Sequence, residues 1–561
     1  MVLLCCSHAT SAIDIEHGLP RFINFAPKDY KQESQNFSIA QDHFGFMYFG
    51  NLNNVLRFDN TTWKNHPLKG TPIVKSGLNG EVYAAGYNRI MKITPFLNRM
   101  QVKGLKIPKD NFIGQVSSIH ICDEQVFFVA PYKILTLKQD SLIVIFESET
   151  ELLGFSANNK LVIHQKNAGL FELNTKTYKL KILPFTQILQ GLAVIDVFAT
   201  GDKNMLIKCA GQASFLKYSA DGLSLFETDA DMYLQENGYV KAIALKNNTI
   251  VIGTEYGGII CIDQSGRYLF SLNKKHGMLD NRITDLFVDA SGKLWVATYN
   301  GISLVDFPSQ LCYFNTSYGI NGAISSMMRF NNKMYFGSTQ GLYYFDQGQK
   351  QNLKAFLLND EKSFVKVPDI LAETHDLAPF INSLYVSTDK GLYKLDSDDK
   401  VTLIHEGEFR KIHFSQTFPN IVFGIGKGGA SVFEIIDNEL QFLGRVSDFD
   451  FDVRTIAEDS DSVFWIGSNN DGLFRLDFKD QNLLHPKITQ YYEDTGLPKD
   501  FMWVDTYKTQ KGVIFSTQKG VLHYENGKFV PHYMFKNLVV AGINHFFPIV
   551  EQQYGKIWFS S

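Results

Sequence analysis

The chain holds 561 residues, 14% of them aromatic, with 54 Lys and Arg against 58 Asp and Glu, a net charge of −4. That balance, without clustered Lys and Arg, argues against a nucleic-acid surface. The length exceeds one ordinary core, so two or more domains are expected. No run of about 20 apolar residues is present to cross a bilayer as a helix; the longest candidate, 538–550, is interrupted by Asn544, His545 and Pro548.

In chain order, residues 1–12 (MVLLCCSHATSA) are apolar and then small, like the back half of a secretory signal. A basic leading region is missing, and small residues do not precede Cys5 and Cys6 as a lipoprotein anchor requires. The remaining cysteines, Cys122, Cys209, Cys261 and Cys312, lie far apart in strand-like runs with no C-x-x-C spacing, and read as buried apolar thiols. Residues 13–30 precede the first repeat and are expected to pair with the last blade of a ring, hiding a sheet edge. Residues 36–68 form a first blade with Trp63 on its outer strand.

From there one unit recurs. Its clearest copy contains Ile283, Leu286 and Val288, a Ser291-Gly292 turn, Leu294-Trp295-Val296, a Tyr299-Asn300-Gly301 turn, and Ile302 to Val305. Short β-branched and aromatic runs bounded by Asn and Gly turns read as antiparallel strands joined by hairpins. Marking the turn before each aromatic strand gives thirteen marks from Gly45 to Gly555, stepping by about 42 residues. That period with four strands per unit indicates β-propeller blades. The expected fold is all-β: tandem β-propellers with four-stranded antiparallel blades, a seven-bladed ring over 13–316 and an incomplete second ring of five to six blades over 317–561. The marks are degenerate over 101–231.

The pattern carried by Gly277, Leu279, Asn281, Ile283, Asp289, Gly292, Leu294, Trp295, Thr298, Gly301 and Asp306 resembles the two-component regulator propeller repeat. Trp465, Ile466, Gly467, Gly472 and Asp477 repeat it, as do Gly496, Leu497, Pro498, Gly512 and Gly520. The resemblance implies the extracytoplasmic sensor half of a Bacteroidota-type hybrid two-component receptor. In that family two seven-bladed rings are usually followed by a triple-tyrosine domain, a membrane helix and a kinase or DNA-binding output. It implies a periplasmic location, a small-molecule or oligosaccharide ligand, membrane-coupled domains downstream, no nucleic-acid contact, and a homodimer as one form of the full-length receptor. The chain stops inside a thirteenth repeat and is read as a fragment whose second ring is open or strained.

The residues offer little chemistry. Gly424 to Ser431 is glycine-rich with Lys427, but it sits between strand runs and reads as a hairpin rather than a phosphate loop. The histidines show no metal-ligand spacing, and His276 and His375 read as surface residues in connectors. Asp289, Gly292 and Trp295 superficially resemble a sialidase Asp-box, yet the spacing differs by one and turn capping is the simpler role. Asp306, Asp346, Asp396 and Asp477 close strands in the same way. No catalytic residue, metal or cofactor is expected.

Binding fits better, because propeller loops from many blades converge around the channel. Asn88, Arg89, Tyr256, Tyr299, Asn300, Gln340, Lys390, Asn469, Asn470 and Lys519, with Tyr87, Asp389 and Gln518, lie on second-to-third-strand hairpins. They offer stacking faces and amide groups suited to a sugar or other polar ligand; solvated turn residues are the simpler reading of any one of them. The alternatives are a secreted enzyme of the streptogramin-lyase or lactonase type and a protein-interaction scaffold. The first needs only one ring and a His–carboxylate constellation at the channel mouth.

Overall fold

A computed structural model describes residues 4–5 and 19–559, apart from 96–99, 109–111, 202–203, 247, 308–310, 315, 346–363, 461, 500–502, 536–548 and 552–556. The leader expected at 1–12 lies outside these residues save for Leu4–Cys5. Two compact units divide the chain, one over 2–317 and another over 318–348 with 362–561. Each is built mainly of four-stranded antiparallel sheets whose strands, in all but one of them, follow in sequence order, so the architecture is tandem β-propellers. No helix among the described residues is long and apolar enough to cross a membrane.

In the first unit, blade 1 runs from Asn36–Gln41 to Trp63–Pro67 and blade 2 from Ile73–Ser76 to Met100–Gly104. Blade 3 runs from Ser118–Cys122 to Ser141–Glu147, and blade 4 from Leu152–Ala157 to Leu180–Ile182. Blade 5 extends from Val194–Ala199 to Gly222–Phe226, and blade 6 from Tyr239–Ala244 to Tyr268–Leu272. Blade 7 supplies three strands, Ile283–Val288, Leu294–Thr298 and Gly301–Val305, and takes its fourth from Phe22–Phe25 near the N-terminus. The expected edge-hiding strand is therefore present: Phe22 pairs with Val305 and Phe25 with Ile302.

Aromatic burial fixes that closure. Phe25 stacks on Trp295, centroids 5.8 Å apart, and meets Trp63 edge-on at 5.6 Å. Phe49 and Phe58 of blade 1 complete the cluster, with Phe58 stacked on Trp63 at 4.4 Å. The same cluster thus joins the N-terminal strand, blade 7 and blade 1.

Among the described residues the second unit shows five four-stranded blades whose inner strands are Ile324–Phe330, Thr374–Phe380, Lys411–Phe414, Val453–Glu458 and Val504–Thr509. A two-stranded sheet, Ile549–Glu551 with Ile557–Phe559, follows. We number these five blades 8 to 12.

Neighbouring inner strands are latched by a repeated device. Several inner strands carry a register shift early in their length, as between Ile283 and Asp285. In five of them the residue just past the shift accepts a hydrogen bond from an inner-strand amide of the next blade. Ser38 takes it from Val74 (2.9 Å), Asp196 from Ala242 (3.2 Å) and Asp285 from Ile39 (2.8 Å). In the second unit Asp376 takes it from Ile412 (3.4 Å) and Thr455 from Thr506 (2.8 Å). The Asp285 latch joins blade 7 to blade 1 and closes the ring, helped by the Thr284 hydroxyl donating to the Asn36 carbonyl.

Asp289, Asp396 and Asp477 cap their turns as expected, whereas Asp306 is tied through its backbone amide to the Arg21 carbonyl (2.7 Å). Asp289 accepts from the amides of Ser291 (2.9 Å) and Lys293 (3.0 Å) and from the Trp295 indole (2.9 Å). Asp459 accepts from Trp465 in the same manner (3.0 Å), and Asp396 and Asp477 cap their own turns. Asp346 lies outside the described residues. Lys427 and Gly428 form a hairpin turn between Ile421–Gly426 and Gly429–Ile436. Cys122, Cys209 and Cys261 are buried free thiols; the Cys312 side chain lies outside the described residues. Two histidine expectations need correction. His276 is half-buried in a short 3-10 turn, and burial pulls its pKa to about 4. His375 belongs to the inner strand of blade 9, with its Nε2 buried rather than at the surface.

Candidate ligand-binding loops and channel

Six second-to-third-strand hairpins, those of blades 6 to 9, 11 and 12, share one turn chemistry, written in the sequence as Thr or Ser followed by a glycine three or four residues on. The hydroxyls of Thr254, Thr298, Ser338, Thr388, Ser468 and Thr517 donate to the carbonyls of Gly258, Gly301, Gly341, Gly391, Gly472 and Gly520 at 2.7–3.1 Å. Each hydroxyl also accepts an amide from within the turn, such as Asn300 (3.2 Å), Gln340 (3.0 Å), Lys390 (3.1 Å) or Lys519 (3.2 Å). Gly301 has φ 112° and Gly341 φ 116°, left-handed values that a side chain rarely adopts. Backbone demands are met inside the turn, which leaves Tyr256, Asn300, Gln340, Lys390, Asn470 and Lys519 exposed, while oxygens of Asp389 and Gln518 turn inward.

The ten expected binding residues divide evenly between the two units. Asn88, Arg89, Tyr256, Tyr299 and Asn300 lie in the first, and Gln340, Lys390, Asn469, Asn470 and Lys519 in the second. Asn88, Arg89, Tyr256, Asn300, Gln340, Lys390, Asn470 and Lys519 are exposed. Several have other tasks. The Asn88 carboxamide accepts from the Ile113 amide (3.1 Å) and so holds a neighbouring loop. Lys519 donates to the Lys499 carbonyl (2.9 Å), and Asn469 bridges Asp452 (2.8 Å) and Arg454 (2.9 Å). Tyr299 carries the Arg282 guanidinium on its ring at 4.5 Å and meets Phe37 edge-on at 6.2 Å.

The inner strands of the first ring bring together a charged group that sequence reasoning passed over. Lys241 pairs with Asp285, which is already held by the Ile39 amide. Asp196 accepts from the Tyr239 hydroxyl (2.5 Å) and the Ala242 amide. His120 bridges the hydroxyls of Ser156 (2.6 Å) and Ser118 (2.7 Å). Lys75 lies close enough to Lys241, Asp285 and His120 for its charge to act on them.

The electrostatics follow from burial and neighbouring charge. Burial lowers the Lys75 pKa, and Lys241 lowers it further. Burial also opposes the Lys241 charge, but the Asp285 carboxylate overcomes that and raises its pKa. Burial pulls His120 to about 3, assisted by Lys75, so its imidazole is neutral at pH 7. Asp196 is raised by burial against its hydrogen bonds. The signal for this cluster was present: Lys75 follows Ile73-Val74, and Lys241 interrupts Tyr239-Val240 and Ala242-Ile243. A charge within an apolar inner strand points toward a channel.

In the second unit the corresponding strands carry matched pairs. Arg454 meets Asp505 (3.0 Å), and Arg410 meets Asp452 (2.9 Å) and Glu408 (3.2 Å). His413 contacts Glu458 at 2.9 Å. This is a His–carboxylate pair, but Glu458 also accepts from Ser415 and from the amides of Gln416 and Thr417, which makes it a loop clamp. A groove of about 440 Å³ lies between blades 4 and 5, where Lys160 is already paired with Glu172.

Comparison with known proteins places the repeat. Residues 277–300 match the family described as Two component regulator propeller, and they span the turn into blade 7 and its first two strands. The fold is that of the extracellular domain of the BT3049 hybrid two component system from B. thetaiotaomicron, at 16% identity and a TM-score of 0.69, over 96% of this chain and 76% of that one. The extracellular domain of BT4673 from B. thetaiotaomicron matches at 15% identity over 96% and 75% of the two chains, with a TM-score of 0.41. Virginiamycin B lyase from Staphylococcus aureus matches at 12% identity over 51% and 99%, also at 0.41. No curated protein matches the sequence.

Proposed function

We propose that this chain is the ligand-sensing, extracytoplasmic part of a two-component receptor and performs no catalysis itself. The observation that carries this reading is the regulator-propeller repeat at 277–300, set in blade 7 of a fold shared with a two-component extracellular domain. The turn chemistry supports it, because six hairpins present outward polar side chains on backbones that need nothing from the ligand. The ligand is a polar small molecule or glycan, and its binding shifts the balance between receptor states through differential affinity. The signal-like leader, the periplasmic location, the membrane-coupled output and a homodimeric receptor belong to the same proposal.

The test is calorimetric titration of the purified chain with a panel of oligosaccharides and polar metabolites, with NMR of the recovered ligand. Saturable binding with the ligand returned intact supports the sensor. Turnover of a lactone or streptogramin would replace it with the lyase reading.

A further inference from the structure

We propose that the channel of the first ring contains a binding site for a small oxyanion, the carboxylate or sulfate group of an acidic ligand, contacted by Lys75 with Lys241 beside it. The inference deepens the sensor reading and rests on it for its biological meaning.

The argument is one of partners. The channel cluster holds two ammonium groups and two carboxyl groups, but both carboxyls are engaged elsewhere. Asp285 is paired with Lys241 and bonded by the Ile39 amide. Asp196 is bonded by the Tyr239 hydroxyl and the Ala242 amide. His120 is held neutral between two serines and supplies no charge. The nearby Cys122 thiol cannot serve as counter-anion, because burial pushes its pKa up to about 11. Lys75 is thus left with no ion pair or hydrogen-bond partner among the described residues, beside a second cation.

Lys75 stands on the inner strand Ile73–Ser76 of blade 2 and is half-buried, and an ammonium drawn partly out of water without a partner is less favourable than a paired one. A site of this kind becomes favourable once an anion enters it. Lys241 keeps 41% of its side chain accessible despite its pairing, so the channel is open to solvent at that point. An oxyanion with two or three acceptor oxygens can take donors from both ammonium groups at once.

The experiment measures the melting temperature of the full chain in sodium sulfate and in sodium galacturonate. Sodium chloride at matched ionic strength and galactose are the controls. We expect both anions to raise the melting temperature beyond their controls. In Lys75→Met the saturable part of that increment should vanish and galacturonate affinity should fall about tenfold to a hundredfold. Because the substitution removes an unpaired charge, the ligand-free variant should melt at or above the wild-type temperature, whereas a merely structural lysine would lower it. Lys75→Arg should retain most of the response. General salting-in or exclusion effects persist in Lys75→Met and so separate from site binding. An anion increment that is absent in the wild type, or unchanged in Lys75→Met, overturns the inference. Failure of both anions to bind, alongside saturable binding of a neutral oligosaccharide, would do the same while leaving the sensor reading intact.

Discussion

The inner strands of the first ring and those of the second unit both carry charged residues and treat them differently. In blades 10 to 12, Arg410 and Arg454 meet Asp452 and Asp505, and Asn469 ties the two pairs together. In the first ring Lys241 has Asp285, but Lys75 has no such partner. The same blade geometry can therefore neutralise its channel internally or leave a charge over. The first arrangement reads as architecture and the second as a place for something else.

The comparison can be broken from the largest effect downward. His120 titrates near 3 when folded against an ordinary value of 6.5, so the unfolded chain binds the extra proton first as pH falls. Its contribution is fully present above pH 6.5 and is lost as pH drops toward 3, on the order of 4–5 kcal/mol. Glu458, lowered to about 2 by His413 and the 415–417 loop against burial, acts in the same direction between 4.5 and 2. Urea melts across this range should show first-unit stability declining from pH 6.5, with a flatter decline in His120→Gln.

Asp285→Ala should be nearly as severe, at about 3–5 kcal/mol, because it strands Lys241 and the Ile39 amide at the ring closure. Asp505→Ala should cost less, about 2–3 kcal/mol, since the Arg454 it leaves behind is a third exposed and keeps its bond to Asn469. If the two variants unfold with equal cost, the distinction between a closing latch and an ordinary pair fails.

Smaller effects test the repeat itself. Trp295→Phe and Trp465→Phe each lose an indole bond to the turn aspartate, and should cost about 1–2 kcal/mol apiece. Thr298→Val and Thr388→Val should each cost about 1 kcal/mol by removing the hairpin hydroxyl, in chemical-denaturation curves with unchanged slope.

Much of this was legible beforehand, and the reason is local. Trp295 and Trp465 sit at the same offset from Asp289 and Asp459, and Gly301, Gly341 and Gly520 recur where the hairpins need left-handed backbone. Strand and turn identity come from neighbours within about five residues, so they survive in the linear pattern. The hairpin side chains were also found this way. Which of them were already committed was not, because the partner of Asn88 is Ile113 and that of Lys519 is Lys499.

The sequence by itself determined the blade, its period, its turns and the strand that closes the ring, since each depends on short-range chemistry repeated every forty-odd residues. Only the tertiary structure decided which inner-strand polar groups meet. Asp285 and Ile39 are separated by 246 positions and become neighbours because the ring returns on itself. The company kept by Lys75 is of the same origin: strands from different blades converge on one axis, and nothing in a linear pattern records who stands opposite.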